Sequence, residues 1–167
     1  MSAPGQSLVV DANVLIDYRA ADLTVLQLAS RHIGKVHVAR QVLREVPRVG
    51  ADECERLDLK IVDESLEQLL EAGRRRGRLS FNDHLCLILA RDAGSTCVTN
   101  DRALRRACEE LSVPVLWGLE LMIQLTAGHH LAEAAAVTIA KAIRESNPRH
   151  ISEEILERFS QKLREIT

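Results

Sequence analysis

The sequence has very few aromatic residues and no excess of one charge. Among the 167 residues, the tyrosine, phenylalanine and tryptophan residues are only Tyr18, Phe81, Trp117 and Phe159. The core must therefore be aliphatic, and we expect no base-stacking platform of the kind that single-strand nucleic-acid binders use. The formal net charge is −2, which excludes nucleic-acid binding by bulk positive charge. Any such contact must come from a local basic patch.

Long apolar runs and closely paired cysteines are also lacking. No run approaches the roughly 20 residues that span a bilayer, so we expect no membrane association. Residues 1–7 show neither a basic start nor a long apolar stretch, which predicts no secretory signal. The cysteines are Cys54, Cys86, Cys97 and Cys108, with no C-x-x-C pair among them. We expect free thiols and a cytoplasmic location rather than disulfides or structural zinc.

What is present fits one globular unit of the α/β class. Hydrophobic residues make up 46% and charged residues 28% of the chain, as in ordinary folded proteins. Short β-prone runs at 8–10, 36–38, 59–62, 95–98 and 113–116 alternate with helical patterns at 21–33, 41–46, 65–73, 80–94 and 101–111. This alternation predicts three layers, α/β/α, around a parallel sheet of about five strands. Pro114 favours an edge position for the last strand, because proline donates no ladder hydrogen bond.

The strand pattern stops after residue 116. Residues 118–126, 131–145 and 152–166 have helical patterns. We predict a main domain at 1–127 and a helical C-terminal extension at 128–167. In the last helix Ile151, Ile155, Phe159 and Leu163 recur every four residues. This apolar stripe must pack on the domain or on a partner subunit.

Acidic residues stand where an open parallel sheet binds its ligands. Asp11 directly follows the first strand, and Asp101 comes shortly after the fourth. Because ligands bind beyond the carboxyl ends of the strands, these two acids should meet at one edge. Asp83 lies in the first turn of the helix before the fourth strand, and Glu45 on the helix after the second. Converging carboxylates are usually neutralised by cations such as Mg²⁺ or Mn²⁺, which promote phosphodiester hydrolysis.

Each acid also has an ordinary structural interpretation. Aspartate after a strand is common in turns, and Asp101 could simply begin the next helix. Asp83 suits a helix N-terminus, and Glu45 on a charged helix suits a solvated position. It is the combination of acids that favours a site.

Four segments, in order, resemble the motifs of the PIN-domain nucleases. They are residues 9–17 (VVDANVLID), 42–46 (VLREV), 79–83 (LSFND) and 98–105 (VTNDRALR). The resemblance implies metal-dependent cleavage of RNA by an acidic cluster that binds Mg²⁺ or Mn²⁺. Carried over by motif, the catalytic and metal-binding residues would be Asp11, Glu45, Asp83 and Asp101, with Asn13 and Thr99 as polar supports.

Several nearby residues have plainer interpretations. Asn13 could be a turn or cap residue, and Thr99 a structural hydroxyl at the strand end. We expect Asp17 to be a helix-surface charge and Trp117 to be a packing residue. His84 is expected to point away from the acids or to pack at the surface.

Two arginine groups are candidates for contacts with RNA phosphates. They are Arg74, Arg75, Arg76 and Arg78 in one group, and Arg102, Arg105 and Arg106 in the other. The alternative is a solvated loop and helix face. The resemblance to VapC-type toxin ribonucleases further implies a homodimer and a small antitoxin partner, although the helical extension departs from the compact toxin pattern.

Two other functional classes remain open. One is a catalytically silent binding or assembly module that retains the acidic pocket. The other is a different metal-dependent phosphoesterase, such as a phosphatase with an aspartate nucleophile and a second aspartate two residues later. Asn13 occupies that second position here, so the phosphatase pattern is absent.

Overall fold

A computed structural model describes residues 6–167, so most of the N-terminal segment from which we predicted no secretory signal lies outside the described residues. The strands are β1 (Ser7–Val10), β2 (Lys35–Ala39), β3 (Lys60–Val62), β4 (Thr96–Val98) and β5 (Val115–Leu116). They form one sheet in the order β3-β2-β1-β4-β5, and every neighbouring pair is parallel. The predicted five-stranded parallel sheet is confirmed. The strand that follows Pro114 lies at its edge, as expected.

Helices flank the sheet and continue beyond it. They are α1 (Ala12–Ala21), α2 (Thr24–His32), α3 (Arg40–Leu43), α4 (Ala51–Arg56), α5 (Leu66–Ala72), α6 (Phe81–Ala93), α7 (Arg102–Glu110), α8 (Glu120–Ala127), α9 (Glu133–Ser146) and α10 (Glu153–Ile166). Within residues 6–167, no helix combines the length and the apolar character that crossing a membrane requires.

The central strands are buried on both faces. Leu8, Val9 and Val10 of β1 are at most 2% exposed, and β4 is fully buried as well. Helices on both sides of a parallel sheet explain why these strands are continuous apolar runs rather than alternating patterns. The core is aliphatic, as expected, and Tyr18 is the largest fully buried side chain.

Helix α6, which carries one of the candidate acids, begins and ends where the sequence predicted. The hydroxyl of Ser80 accepts a hydrogen bond from the backbone N–H of Asp83 at 3.1 Å. Gly94 ends the helix in the left-handed region, at φ 64°, a conformation that glycine adopts without steric cost. Between these caps, α6 packs across the central strands of the sheet.

Four helical segments differ from the sequence prediction. The helix predicted at 21–33 begins only at Thr24, because Oδ1 of Asp22 accepts the N–H of Thr24 and favours a turn there. Helix α4 was not predicted, and α1 was anticipated only in the expectation that Asp17 lies on a helix. The helix predicted at 41–46 ends at Leu43, because the N–H groups of Glu45 and Val46 bond the carbonyls of Val42 and Leu43, three residues back rather than four. Glu45 therefore lies in a turn and not on a helix.

The C-terminal helices pack on the rest of the chain. Helix α9 lies against α1, and α10 lies against α8 and α9. Ile151, Phe159 and Leu163 of the predicted stripe are buried within the chain. Full burial of such side chains stabilises the fold by about 1.5–3 kcal/mol each. Ile155 is the exception in the stripe, because 38% of it is exposed.

Candidate active site

The side chain of Thr99 connects Asp11 to Asp101. Thr99 Oγ1 donates a hydrogen bond to Oδ2 of Asp11 at 2.5 Å and accepts one from the backbone N–H of Asp101 at 3.0 Å. This contact follows from the sheet, because β1 and β4 are neighbours with Val10 opposite Val98. The two acids therefore come together at the carboxyl edge of the sheet, where the sequence placed them.

Both of these acids also cap helices. Oδ1 of Asp11 accepts the N–H of Val14 at the start of α1, and Oδ1 of Asp101 accepts the N–H of Leu104 at the start of α7, each at 2.8 Å. The ordinary structural interpretation of Asp101 is thus correct and does not exclude a functional one. Within residues 6–167, Oδ2 of Asp101 accepts no hydrogen bond, so this oxygen remains open to a ligand.

Asp83 and Glu45 reach the same region from other elements. Cys86 of α6 lies with its Sγ 4.0 Å from the carbonyl oxygen of Val10. Asp83 is one turn earlier on the same helix face, which directs its half-buried side chain toward the end of β1. Glu45 is exposed in the turn after α3.

The four acids affect one another electrostatically. Burial raises the pKa of Asp11 to about 7, hydrogen bonds from Thr99 and Val14 oppose this rise, and the charges of Asp83 and Asp101 add to it. Burial likewise raises the pKa of Asp83, and the charges of Asp101 and Glu45 raise it further. Among the described residues, none of the four forms an ion pair. The site is a local concentration of uncompensated negative charge.

The donor chemistry of these residues fits a hard divalent cation. Carboxylate oxygens are the ligands that Mg²⁺ and Mn²⁺ prefer, and Asp11 is buried with only 1% of its surface exposed. In the part of the chain that the structure describes, no three His, Cys, Asp or Glu side chains already form a metal-holding group. The carboxylate oxygens are thus suitable ligands for Mg²⁺ or Mn²⁺, but the side chains are not yet close enough together to surround an ion.

The two predicted supporting residues have different surroundings. Thr99 is fully buried and holds Asp11 and the backbone of Asp101. Asn13 is half-buried on α1, two residues after Asp11, and its side chain makes no hydrogen bond within residues 6–167. Thr99 therefore positions the two acids, whereas the contacts of Asn13 indicate no such role.

The prediction that Asp17 is a surface charge is wrong. Only 2% of Asp17 is exposed, and its carboxylate accepts hydrogen bonds at 3.2 Å from the side-chain amides of Asn100 and Asn147. Nδ1 of His150 lies 3.9 Å away. Burial raises the pKa of Asp17, and these three neighbours lower it. The carboxylate is buried because α1 turns this face toward α9.

The sequence analysis missed Asn100, Asn147 and His150. Asn100 also accepts the N–H of Gly118 at 2.8 Å, and the carbonyl of Gly118 accepts the hydroxyl of Tyr18 at 2.6 Å. These bonds fix the residue immediately before Asp101. A helical phase for residues 12–21 would have placed Asp17 with Val14 and Tyr18 on a buried face, but no local signal identifies its amide partners.

His84 is buried and does not pack at the surface. Only 6% of it is exposed, and Nδ1 has no hydrogen-bond partner within residues 6–167. The pKa of Glu71 on α5 is lowered chiefly by Arg91 and in smaller part by the charge of His84. His84 therefore lies near Glu71 of α5, and its expected direction away from the acids stays a prediction.

The structure brings the two arginine groups together. Arg76, Arg78 and Arg106 line one cleft of about 320 Å³, together with Leu79 and Ala103; we call it the arginine cleft. Its lining adjoins two acidic motifs in sequence, at Asp83 and Asp101. Arg76 also pairs with Glu110 at 3.5 Å.

The remaining arginines differ in their surroundings. Arg74, Arg75 and Arg102 are exposed. Arg105 is half-buried, with its guanidinium carbon 4.4 Å from the centroid of the Trp117 ring. Arg105 and Trp117 thus pack against each other, and the half-buried ring of Trp117 also remains partly accessible.

A parallel α/β/α fold with an acidic cluster at its carboxyl edge defines a class of protein suited to phosphoester chemistry. Residues 7–165 match the sequence profile described as the PIN domain, and the chain belongs to this family. PIN domains are in general nucleases. The matched region includes the C-terminal helices, and the predicted family and fold are confirmed.

One solved structure supports the same fold. It is a PilT N-terminus domain protein from the hyperthermophilic archaeon Sulfolobus solfataricus P2. The TM-score is 0.55 and the sequence identity 13%, over 71% of this chain and 92% of that chain. At this identity the likeness shows the fold alone. No curated protein sequence matches the chain.

Proposed function

We propose that this protein is a metal-dependent endoribonuclease. The observation that carries the proposal is the meeting of Asp11, Asp83 and Asp101, with Glu45 nearby, at the carboxyl edge of the sheet without a basic partner among the described residues. Such a cluster is costly to ionise unless a cation neutralises it. The chain belongs to a family of nucleases, and this membership supports a phosphodiester as the substrate.

The acids would hold the cation, and their neighbours would position them. A bound Mg²⁺ or Mn²⁺ supplies an activated water and neutralises charge on the phosphodiester. Asp11 has to lose its proton to act as a ligand, since its pKa is raised to about 7. Thr99 fixes the orientation of the Asp11 carboxylate and of the Asp101 backbone. The open Oδ2 of Asp101, the half-buried Asp83 and the exposed Glu45 would supply further oxygen donors.

The arginine cleft is the proposed contact for the substrate backbone. Arg78 and Arg106 lie in it and form no ion pair within residues 6–167. Guanidinium groups bind phosphate oxygens by bidentate hydrogen bonds. The cleft thus provides the local positive field that the net charge of −2 lacks.

Further features of the proposal rest on the resemblance to toxin ribonucleases. These are RNA as the substrate, a cytoplasmic location, a homodimer and a small antitoxin partner. The stripe on α10 is buried within the chain, so it no longer supports a dimer. The resemblance is the remaining support for one.

The proposal is tested by comparing substrates and metals. Purified protein is incubated with structured RNA, single-stranded RNA, DNA and p-nitrophenyl phosphate, each with Mn²⁺, Mg²⁺ or EDTA. We expect RNA to be cut internally, only with a cation. Metal-dependent release of phosphate from the small ester without RNA cleavage would indicate a phosphoesterase instead. Folded protein that neither binds Mn²⁺ nor cleaves RNA would indicate a silent binding module.

A further inference from the structure

The C-terminal helix α10 closes a second cavity beside the acidic site. This cavity, which we call the α10 cavity, has a volume of about 400 Å³, within the usual range of small-ligand sites. Asn100 and Arg102 line it, and they flank Asp101 in the sequence. Ile155 and Phe159 of α10 form part of its opposite wall. The cavity therefore lies beside the residues that precede and follow Asp101 in the chain.

The wall of the α10 cavity is aromatic and apolar. Trp117 is half-buried and lines it, with the guanidinium of Arg105 4.4 Å from its ring centroid. Ile155 remains 38% exposed, although it lies on the apolar stripe of α10. Single-stranded RNA is commonly recognised by splayed bases that stack on aromatic rings and guanidinium planes. The shape and chemistry of this wall suit a nucleobase.

The rim of the α10 cavity is positively charged. Arg102, Arg158 and Lys162 line it and are exposed. Arg158 pairs with Glu154 at 2.7 Å, whereas Arg102 and Lys162 form no ion pair within residues 6–167. The one acid in the lining, Glu120, accepts the backbone N–H of Trp117 at 3.0 Å. In a chain with a net charge of −2, this concentration of cations favours an anionic ligand.

We propose that the α10 cavity binds one nucleotide of an RNA strand whose neighbouring phosphodiester lies at the acidic site. The base packs against Trp117, and Arg102 and Lys162 contact the adjoining phosphates. The identity of the strand rests on the proposed ribonuclease function. The C-terminal extension is then part of the substrate-recognition surface. It acts together with the arginine cleft, which adjoins α7 at Ala103.

Trp117 provides a direct probe, because it is the only tryptophan in the chain. A short single-stranded oligoribonucleotide is titrated in EDTA while tryptophan fluorescence is recorded. We expect saturable quenching. Lys162→Glu should weaken binding about tenfold, because it reverses a charge on the rim. The matched control is Lys141→Glu on α9, also exposed but outside this cavity, and it should bind as the wild type does.

A second variant tests the stacking contact. With a labelled oligoribonucleotide followed by anisotropy, Trp117→Leu should weaken binding by about fivefold to a hundredfold, the value of one stacked base. Folding of each variant is checked by circular dichroism. If Trp117→Leu fails to fold, the pair of lysine variants still decides the question.

The result that would overturn the proposal is RNA binding with unchanged tryptophan fluorescence and equal affinities for the two lysine variants. That result would indicate that the cavity binds a segment of a protein rather than a nucleotide. Metal-dependent cleavage is measured separately on the same samples. Cleavage without quenching contradicts the α10 cavity alone, whereas quenching without cleavage contradicts the ribonuclease function and retains the binding site.

Discussion

Thr99 Oγ1 donates a hydrogen bond to Oδ2 of Asp11, and the two residues directly follow the neighbouring strands β4 and β1. The same hydroxyl accepts the N–H of Asp101. One side chain thus sets the relative position of two acids that lie 90 residues apart in the chain. This relationship makes Thr99 a positioning residue whose loss should alter the chemistry of the site without removing a ligand.

Replacing Thr99 by valine keeps the shape of the side chain and removes the hydroxyl. We expect cleavage to fall about 10-fold to 100-fold, as is typical when a group that orients a metal ligand is lost. The activity should also need a higher pH, because the hydrogen bond that lowers the pKa of Asp11 is missing. Thr99→Ser should restore both. A pH–rate profile unchanged in Thr99→Val would show that the contact is only structural.

The buried carboxyl of Asp11 predicts a pH-dependent stability of the metal-free protein. Its pKa is raised from 3.8 to about 7 in the folded chain, so the folded state binds more protons than the unfolded state between these values. Stability should therefore fall as the pH rises through this window, by at most about 1.4 kcal/mol per pH unit. Urea unfolding in EDTA should show this fall in the wild type relative to Asp11→Asn.

Asp83 and Asp17 also have raised pKa values, and both are present in either protein. The difference between the wild type and Asp11→Asn consequently reports the titration of Asp11 together with the effect of its charge on Asp83 and Asp101. A difference that stays constant from about pH 4 to about pH 7 would contradict a raised pKa at this residue.

Asp17, in the first motif, accepts hydrogen bonds from one side-chain amide of the fourth motif and one of the C-terminal extension. Asp17→Ala leaves the half-buried amides of Asn100 and Asn147 without this acceptor. We expect a loss of about 1–3 kcal/mol in the free energy of unfolding, measured by urea denaturation. The control Asp52→Ala, at an exposed position on α4, should change it by about 0.5 kcal/mol or less. Equal effects of the two substitutions would refute the buried network.

Gly118 allows Asn100 to approach the backbone closely. A Cβ at this position would lie 3.0 Å from Nδ2 and 3.1 Å from Oδ1 of Asn100. Gly118→Ala should displace Asn100, lower stability by about 1–3 kcal/mol and reduce cleavage, since Asn100 precedes Asp101. Gly73→Ala is the matched control, because its Cβ would meet only ordinary contacts at 3.5 Å. Thermal unfolding and RNA cleavage of both variants would show whether the close contact matters.

The fold was largely predictable because short stretches of sequence mark its strands and the ends of its helices. Uninterrupted runs such as Leu8 to Val10 indicate strands buried on both faces, and Ser80 and Gly94 mark the ends of α6. The acids at the strand ends follow from the same reasoning, since parallel strands direct their carboxyl ends to one edge.

The features that were not predicted depend on distant or short-range context. The burial of Asp17 depends on Asn147, 130 residues further along the chain, and a local pattern contains no such information. The early end of α3 depends on the turn that follows it, in which the N–H groups of Glu45 and Val46 bond the carbonyls of Val42 and Leu43. Polar residues that bind one another across the fold are therefore found only in the three-dimensional structure.

The central claim is that the acidic cluster is a metal-dependent nuclease site. The most direct measurement is the rate of Mn²⁺-dependent RNA cleavage by the wild type, Asp11→Asn, Asp83→Asn and Asp101→Asn, with Asp52→Asn as the matched control. The account predicts that the three site variants lose cleavage by about a hundredfold or more, while they remain folded and the control keeps the wild-type rate. Folded site variants that cleave as fast as the control would contradict it.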